Sequence, residues 1–138
     1  MEVNYIAVVV ASLLAMVIGG VWYGPLFGRK WMEINNLSPD DVGKREEMQK
    51  SATPLYGIQL LLTLLQVYIL AHFVNAWTDA SGVETALFIW LGFIVPTVAG
   101  AAMWNMQPTK VKWAQFLITA GYQLVCFMIF GFVLGMWR

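Results

Sequence analysis

Six neutral polar residues recur at helical spacing inside two long apolar runs. They are Gln59, Thr63 and Gln66 in one run, and Gln115, Thr119 and Gln123 in the other. Residues three and four apart share a helix face, so each trio forms a stripe. Amides and hydroxyls placed this way in an apolar setting have two uses. They can bond one another across helices, at about 0.6 kcal/mol per bond in a membrane. They can also line a cleft for the polar head of a lipid, a quinone or a small solute. Proton relay is a poor third use, because amides do not titrate and no Asp, Glu, Lys or Arg lies mid-run.

A second constellation is His72, Asn75 and Asp79, an outer polar cluster on one face of the same helix as Gln59. One His and one Asp could begin a metal or proton site. The chain has a single His, and a structural metal site wants more ligands, so interfacial hydrogen bonding is the expectation. Cys126 is the only cysteine and lies deep in an apolar run, where it reads as a small packing residue. No nucleophile-elbow, P-loop, Cys-x-x-Cys, zinc-protease or dinucleotide pattern occurs. The expectation is no catalytic residue, no metal and no cofactor.

Helices of membrane-spanning length must position these groups. A bilayer core takes about 20 apolar residues per helix. The spans are predicted at 3–23, 55–77, 83–104 and 111–137, with an insertion at 24–53. Barrel strands are shorter and alternate in polarity, unlike these runs. A soluble core is a poor alternative because too few polar residues remain to cover it. The start, Met1-Glu2-Val3-Asn4, carries no Lys or Arg, so the first run reads as an uncleaved helix rather than a signal peptide. The fold class is all-α: a polytopic integral membrane protein in a single domain, 1–138. Its four transmembrane helices form two antiparallel hairpins, with a short cytoplasmic helical insertion in the first.

Charge sets the expected orientation. Arg29, Lys30, Lys44, Arg45, Lys50, Lys110 and Lys112 lie on one side of such a bundle, and only Arg138 lies on the other. Basic loops stay in the cytoplasm. The prediction is a multi-pass protein of the cell membrane, of bacterial inner-membrane type, with both termini outside. Net charge is zero, with 8 basic and 8 acidic residues, which removes any case for nucleic acid. Trp22, Tyr23, Trp31, Tyr56, Trp104 and Trp113 are expected at the cytoplasmic interface, and Tyr5, Trp77 and Trp137 at the outer one.

Within the insertion, Gly24-Pro25 is expected to end the first helix. Trp31, Ile34 and Leu37 suit a short helix on the membrane surface or a loop with one Trp anchor. Ser38-Pro39-Asp40-Asp41 reads as the start of a helix running to about Lys50. Thr53-Pro54 repeats that signal, so a break or bend is expected there. Three small-residue faces are visible: Ala7, Ala11, Ala15 and Gly19; Gly92, Pro96 and Gly100; and Gly131 and Gly135. Such faces let helices approach closely, within a chain or between chains. The two hairpins also look weakly alike. Trp22 and Pro25 end one span as Trp104 and Pro108 end another, and Gln59–Thr63 resembles Gln115–Thr119. That suggests a parallel repeat.

Trp22-Tyr23-Gly24-Pro25-Leu26-Phe27-Gly28, followed by Trp31-Met32, resembles the hallmark of a family of small bacterial membrane proteins known as domain of unknown function 1761. Asn4, Trp90-Leu91-Gly92-Phe93, Gly121-Tyr122-Gln123-Leu124 and Trp137-Arg138 are similar too. The resemblance implies a membrane location and this fold; it implies no activity and no catalytic residue. The Trp22–Gly28 segment reads either as a helix stop with an aromatic anchor or as a lid over a cytoplasmic cleft.

The expected function is therefore that of a small integral membrane protein that is not an enzyme. Its expected partners are the lipid bilayer and either a homo-oligomer or a membrane-protein complex. The alternatives are a transporter or channel for a small solute, and a protein that binds or modifies a lipophilic molecule.

Overall fold

The computed structural model describes residues 3–35 and 42–138, apart from the side chains of 42, 44, 45, 48 and 49. The described chain is all-helical. Four of its helices are long and apolar enough to cross a membrane: Tyr5–Leu26, Lys50–Ala76, Gly82–Met103 and Thr109–Met136. This is a multi-pass membrane protein.

The first span begins with α1 (Tyr5–Val21). Its N-cap is Asn4, whose Oδ1 accepts from the amides of Ile6 at 3.1 Å and Ala7 at 3.2 Å. Two donors that a helix start leaves open are thereby satisfied. The α-helix stops at Val21 and the first span ends at Leu26, one residue past Pro25, in keeping with the stop expected at Gly24-Pro25. A π turn, Trp22–Leu26, carries the chain through Pro25. Proline lacks the N–H an α turn requires, and the wider turn closes instead from the Phe27 amide to the Trp22 carbonyl at 2.9 Å. The chain then enters α2 (Gly28–Ile34) directly. Gly28 is required there, because a Cβ would sit 2.7 Å from the Tyr23 carbonyl oxygen. Helix α2 buries Ile34 and half-buries Trp31. Leu37 and the Ser38–Asp41 start signal lie outside the described residues.

Helix α3 (Val42–Ala76) is continuous through its proline, Pro54. The break considered at Thr53-Pro54 is absent. The carbonyl that Pro54 leaves unbonded belongs to Lys50, an exposed residue at the mouth of the span where water can serve it. Residues 42–49 run on beyond the span as the same helix.

The third span is built from α4 (Gly82–Ile89), a second π turn (Trp90–Ile94) and α5 (Val95–Met103). Ser81 and Glu84 cap α4 reciprocally: the Glu84 amide donates to Ser81 Oγ at 3.1 Å, and the Ser81 amide donates to Glu84 Oε2 at 3.0 Å. The fourth span is α6 (Thr109–Met136).

Helix α6 is the hub, touching α1, α3, α4 and α5. Forty-four per cent of its apolar window is buried, against 11 % for the third span, which therefore lies at the edge of the bundle. Two of the small-residue faces build the interior. Ala7, Ala11 and Ala15 are fully buried, and a Cβ on Gly19 would meet Tyr122 Oη at 3.1 Å. Gly131 and Gly135 receive Gly82 so closely that a Cβ on Gly82 would lie 2.0 Å from the Gly131 carbonyl oxygen. Phe127, Phe130, Leu70, Val67 and Val74 fill the space between.

One end of the bundle is tied by polar contacts. Asn4 Nδ2 donates to the Trp137 carbonyl at 3.3 Å. The Arg138 guanidinium donates to the carbonyls of Val74 at 3.0 Å and Ala80 at 3.1 Å. It thus serves the C-terminal end of α3, where carbonyls lack helical partners.

Candidate functional site: the polar seam on the fourth span

Four of the six stripe residues meet in one crevice between the first, second and fourth spans. Gln59, Thr63, Gln66 and Gln123 line it, together with Ala15, Tyr122, Cys126 and Phe130. The crevice is closed up too tightly to hold a water-sized molecule. Gln66 Nε2 donates to Gln123 Oε1 at 3.2 Å, joining α3 to α6. Thr63 is buried and donates to the Gln59 carbonyl at 2.8 Å, while Gln59 Nε2 donates to Thr63 Oγ1 at 3.2 Å.

The other two stripe residues lead elsewhere. Gln115 Oε1 accepts from Asn105 Nδ2 at 3.4 Å, in the link between α5 and α6. Thr119 is half-buried near Tyr23, whose ring meets that of Tyr122 edge-on at 5.4 Å. The α6 stripe therefore divides between two neighbours: α3 takes Gln123, and the link before α6 takes Gln115.

Sequence reasoning missed the two indole donors that hold this seam alongside Tyr122. Trp22 Nε1 donates to the Ile118 carbonyl at 3.0 Å, and Trp90 Nε1 donates to the Ala120 carbonyl at 3.0 Å. Tyr122 Oη donates to the Ala15 carbonyl at 2.9 Å. The tryptophans open the two π turns, each as Trp-x-Gly: Trp22-Tyr23-Gly24 and Trp90-Leu91-Gly92. That shared tripeptide was the available signal. Trp104, matched to Trp22 in the repeat suggested above, is instead 83 % exposed.

The outer cluster does not form on one helix face. His72 packs edge-on to Tyr68 with centroids 4.8 Å apart, and Asn75 lies on the same helix and is itself engaged. Asp79 lies past the end of α3, in the link to α4, and is exposed. Among the described residues, no three His, Cys, Asp or Glu side chains gather into a metal-binding group.

Residues 6–135 match the family described as Protein of unknown function (DUF1761). The chain belongs to the DUF1761 family. The match takes in both Trp-x-Gly turns, both glutamine stripes and all four spans almost to their ends. The DUF1761 description assigns no function, so no residue role is carried over from it. No curated protein and no solved structure matches the chain.

Proposed function

We propose that this DUF1761 protein is a non-enzymatic membrane module that associates with further copies of itself through the outer face of its third span. The supporting observation is how the three small-residue faces are spent. Two are consumed inside the chain, by α1 against its neighbours and by Gly82 against Gly131 and Gly135. The third is left over: a Cβ on Gly92 or Gly100 would meet nothing within 4 Å, and Pro96 between them is exposed. Small residues four apart on a lipid-facing helix permit close backbone approach, which is what drives helix association where no hydrophobic effect operates. The polar groups within the spans bond one another, consistent with a packing role. The module sits in the cell membrane with the basic loops in the cytoplasm, supported by the seven-to-one division of Lys and Arg. Chemical crosslinking in native membranes, read on the unaltered protein, tests the reading. Ladders of dimer or higher species support it. A species that stays monomeric and attaches to a different protein moves it to an accessory role.

A second reading is favoured by the crevice alone. Gln66 and Gln123 close a polar seam beside Tyr122 and Cys126, with Phe130 above it. Parting the two glutamines would open a site for a small polar head or solute. Flux through reconstituted vesicles that falls in Gln66→Leu and Gln123→Leu would favour this reading over the first.

A further inference from the structure

A groove runs beside the close contact between α4 and α6, at the end of the bundle that carries Arg138. Unlike the glutamine crevice it is open, with a volume of about 220 Å³. Ser81, Gly82 and Val83 line its α4 side, and Phe132, Met136 and Arg138 line its α6 side. Gly82 meets Gly131 and Gly135 backbone to backbone, so no side chain is left at the contact to fill the space alongside.

The lining is ordered by polarity. Val83, Phe132 and Met136 lie within the third and fourth spans, whereas Ser81 and Arg138 lie just past the span ends. Phe132 and Met136 are both exposed, so the groove is open toward the acyl chains of a bilayer. Trp77 and Trp137 mark the interface at this end. A phospholipid has the same order, with a polar head at the span ends and an apolar chain beside the spans.

The Arg138 guanidinium is aimed by its bonds to the carbonyls of Val74 and Ala80. Both partners are neutral, and among the described residues no carboxylate pairs with it. Further N–H groups of its fork remain to donate, and the fork matches the oxygens of a phosphate. Ser81 Oγ accepts from the Glu84 amide at 3.1 Å and keeps its own proton to donate. Asp79 and Glu84 stand next to this cation. Glu84 Oε2 accepts from the Ser81 amide at 3.0 Å, and Asp79 directly precedes Ala80; both acids are exposed. They disfavour a head of net negative charge and favour an amine beside the phosphate.

We infer that the groove binds a phospholipid with a phosphoethanolamine head. Arg138 and Ser81 hold the phosphate, Asp79 and Glu84 attract the amine, and an acyl chain lies along Val83, Phe132 and Met136. The groove lies at the start of the third span, away from Gly92, Pro96 and Gly100, and does not depend on self-association.

Native mass spectrometry tests this on protein released from nanodiscs that hold phosphatidylethanolamine, phosphatidylglycerol and phosphatidylcholine in equal parts with the same chains. The parent should retain phosphatidylethanolamine several-fold above the other two, since a choline nitrogen has no N–H to give a carboxylate. Arg138→Gln should bring it down to their level. Glu84→Gln keeps an oxygen for the Ser81 amide. Combined with Asp79→Asn, it should move the preference toward phosphatidylglycerol while a lipid is still held. Equal retention of the three lipids by the parent, or a preference for phosphatidylglycerol, overturns the inference. So does undiminished retention in folded Arg138→Gln. Met136→Trp, which crowds the groove from its exposed wall, decides the matter if Arg138→Gln does not fold: phosphatidylethanolamine should be lost, and unchanged retention overturns the inference.

Discussion

Trp22 and Trp90 stand on different spans, yet their indole N–H groups donate to Ile118 and Ala120, two carbonyls of one helix, each at 3.0 Å. Gly121 lies between the two contacts in height, and a Cβ there would press on Trp22 Cζ2 at 3.1 Å. A helix carbonyl already holds one amide, so each indole uses a second lone pair. The first and third spans are thereby fixed at one level of α6, and each tryptophan opens the π turn of its own span.

Removing either indole donor should therefore loosen the bundle. Trp22→Phe and Trp90→Phe are each expected to cost about 1 kcal/mol, the net value of one hydrogen bond. Unfolding in mixed detergent measures this. Stability equal to the parent in both variants would mean that the contacts are incidental.

The glycines should split sharply by location. Gly82→Ala places a methyl 2.0 Å from a backbone oxygen, so α4 must move away from α6. A loss of about 1–3 kcal/mol is expected from such overpacking. Gly100→Ala adds its methyl to open space and should leave the stability of the monomer unchanged. Thermal unfolding of the two variants side by side checks the contrast.

The Gln66–Gln123 bond joins α3 to α6 across 3.2 Å. A double-mutant cycle with Gln66→Leu and Gln123→Leu should return a coupling of about 0.6 kcal/mol, as for other hydrogen bonds between membrane helices. The double variant should be more stable than the sum of the single ones, because neither amide is then left without its partner.

Much of this was legible in the chain and some was not, for physical reasons. The spans declare themselves because a bilayer demands long apolar runs. The stripes were legible as faces, but spacing gives a face and not the rotation of its neighbour. That is why Gln123 met Gln66 while Gln115 met Asn105. How each proline is accommodated was not legible either. A missing N–H can be absorbed by a wider turn, as at Pro25, or by water at a span mouth, as at Pro54. The π turn at Trp90–Ile94 carries no proline, and the Trp-x-Gly start that it shares with Trp22–Leu26 was its one signal.

Orientation rests on charge and has its own test. Asp79→Cys, in the link at the end of the bundle shared with Asn4 and Arg138, should react in intact cells with a membrane-impermeant thiol reagent. A cysteine at 44 should be protected until the cells are opened. The reverse labelling would place the seven basic residues outside and overturn the assignment.

Self-association through the third span is the central claim, and disulfide mapping reaches it most directly. In a Cys126→Ala background, a single cysteine is placed at 92 or 100 and, for comparison, at 13, where Leu13 is exposed on α1. Mild oxidation in native membranes should give a disulfide dimer from positions 92 and 100 and little from 13. Monomer at all three positions, or equal dimer at all three, would contradict it.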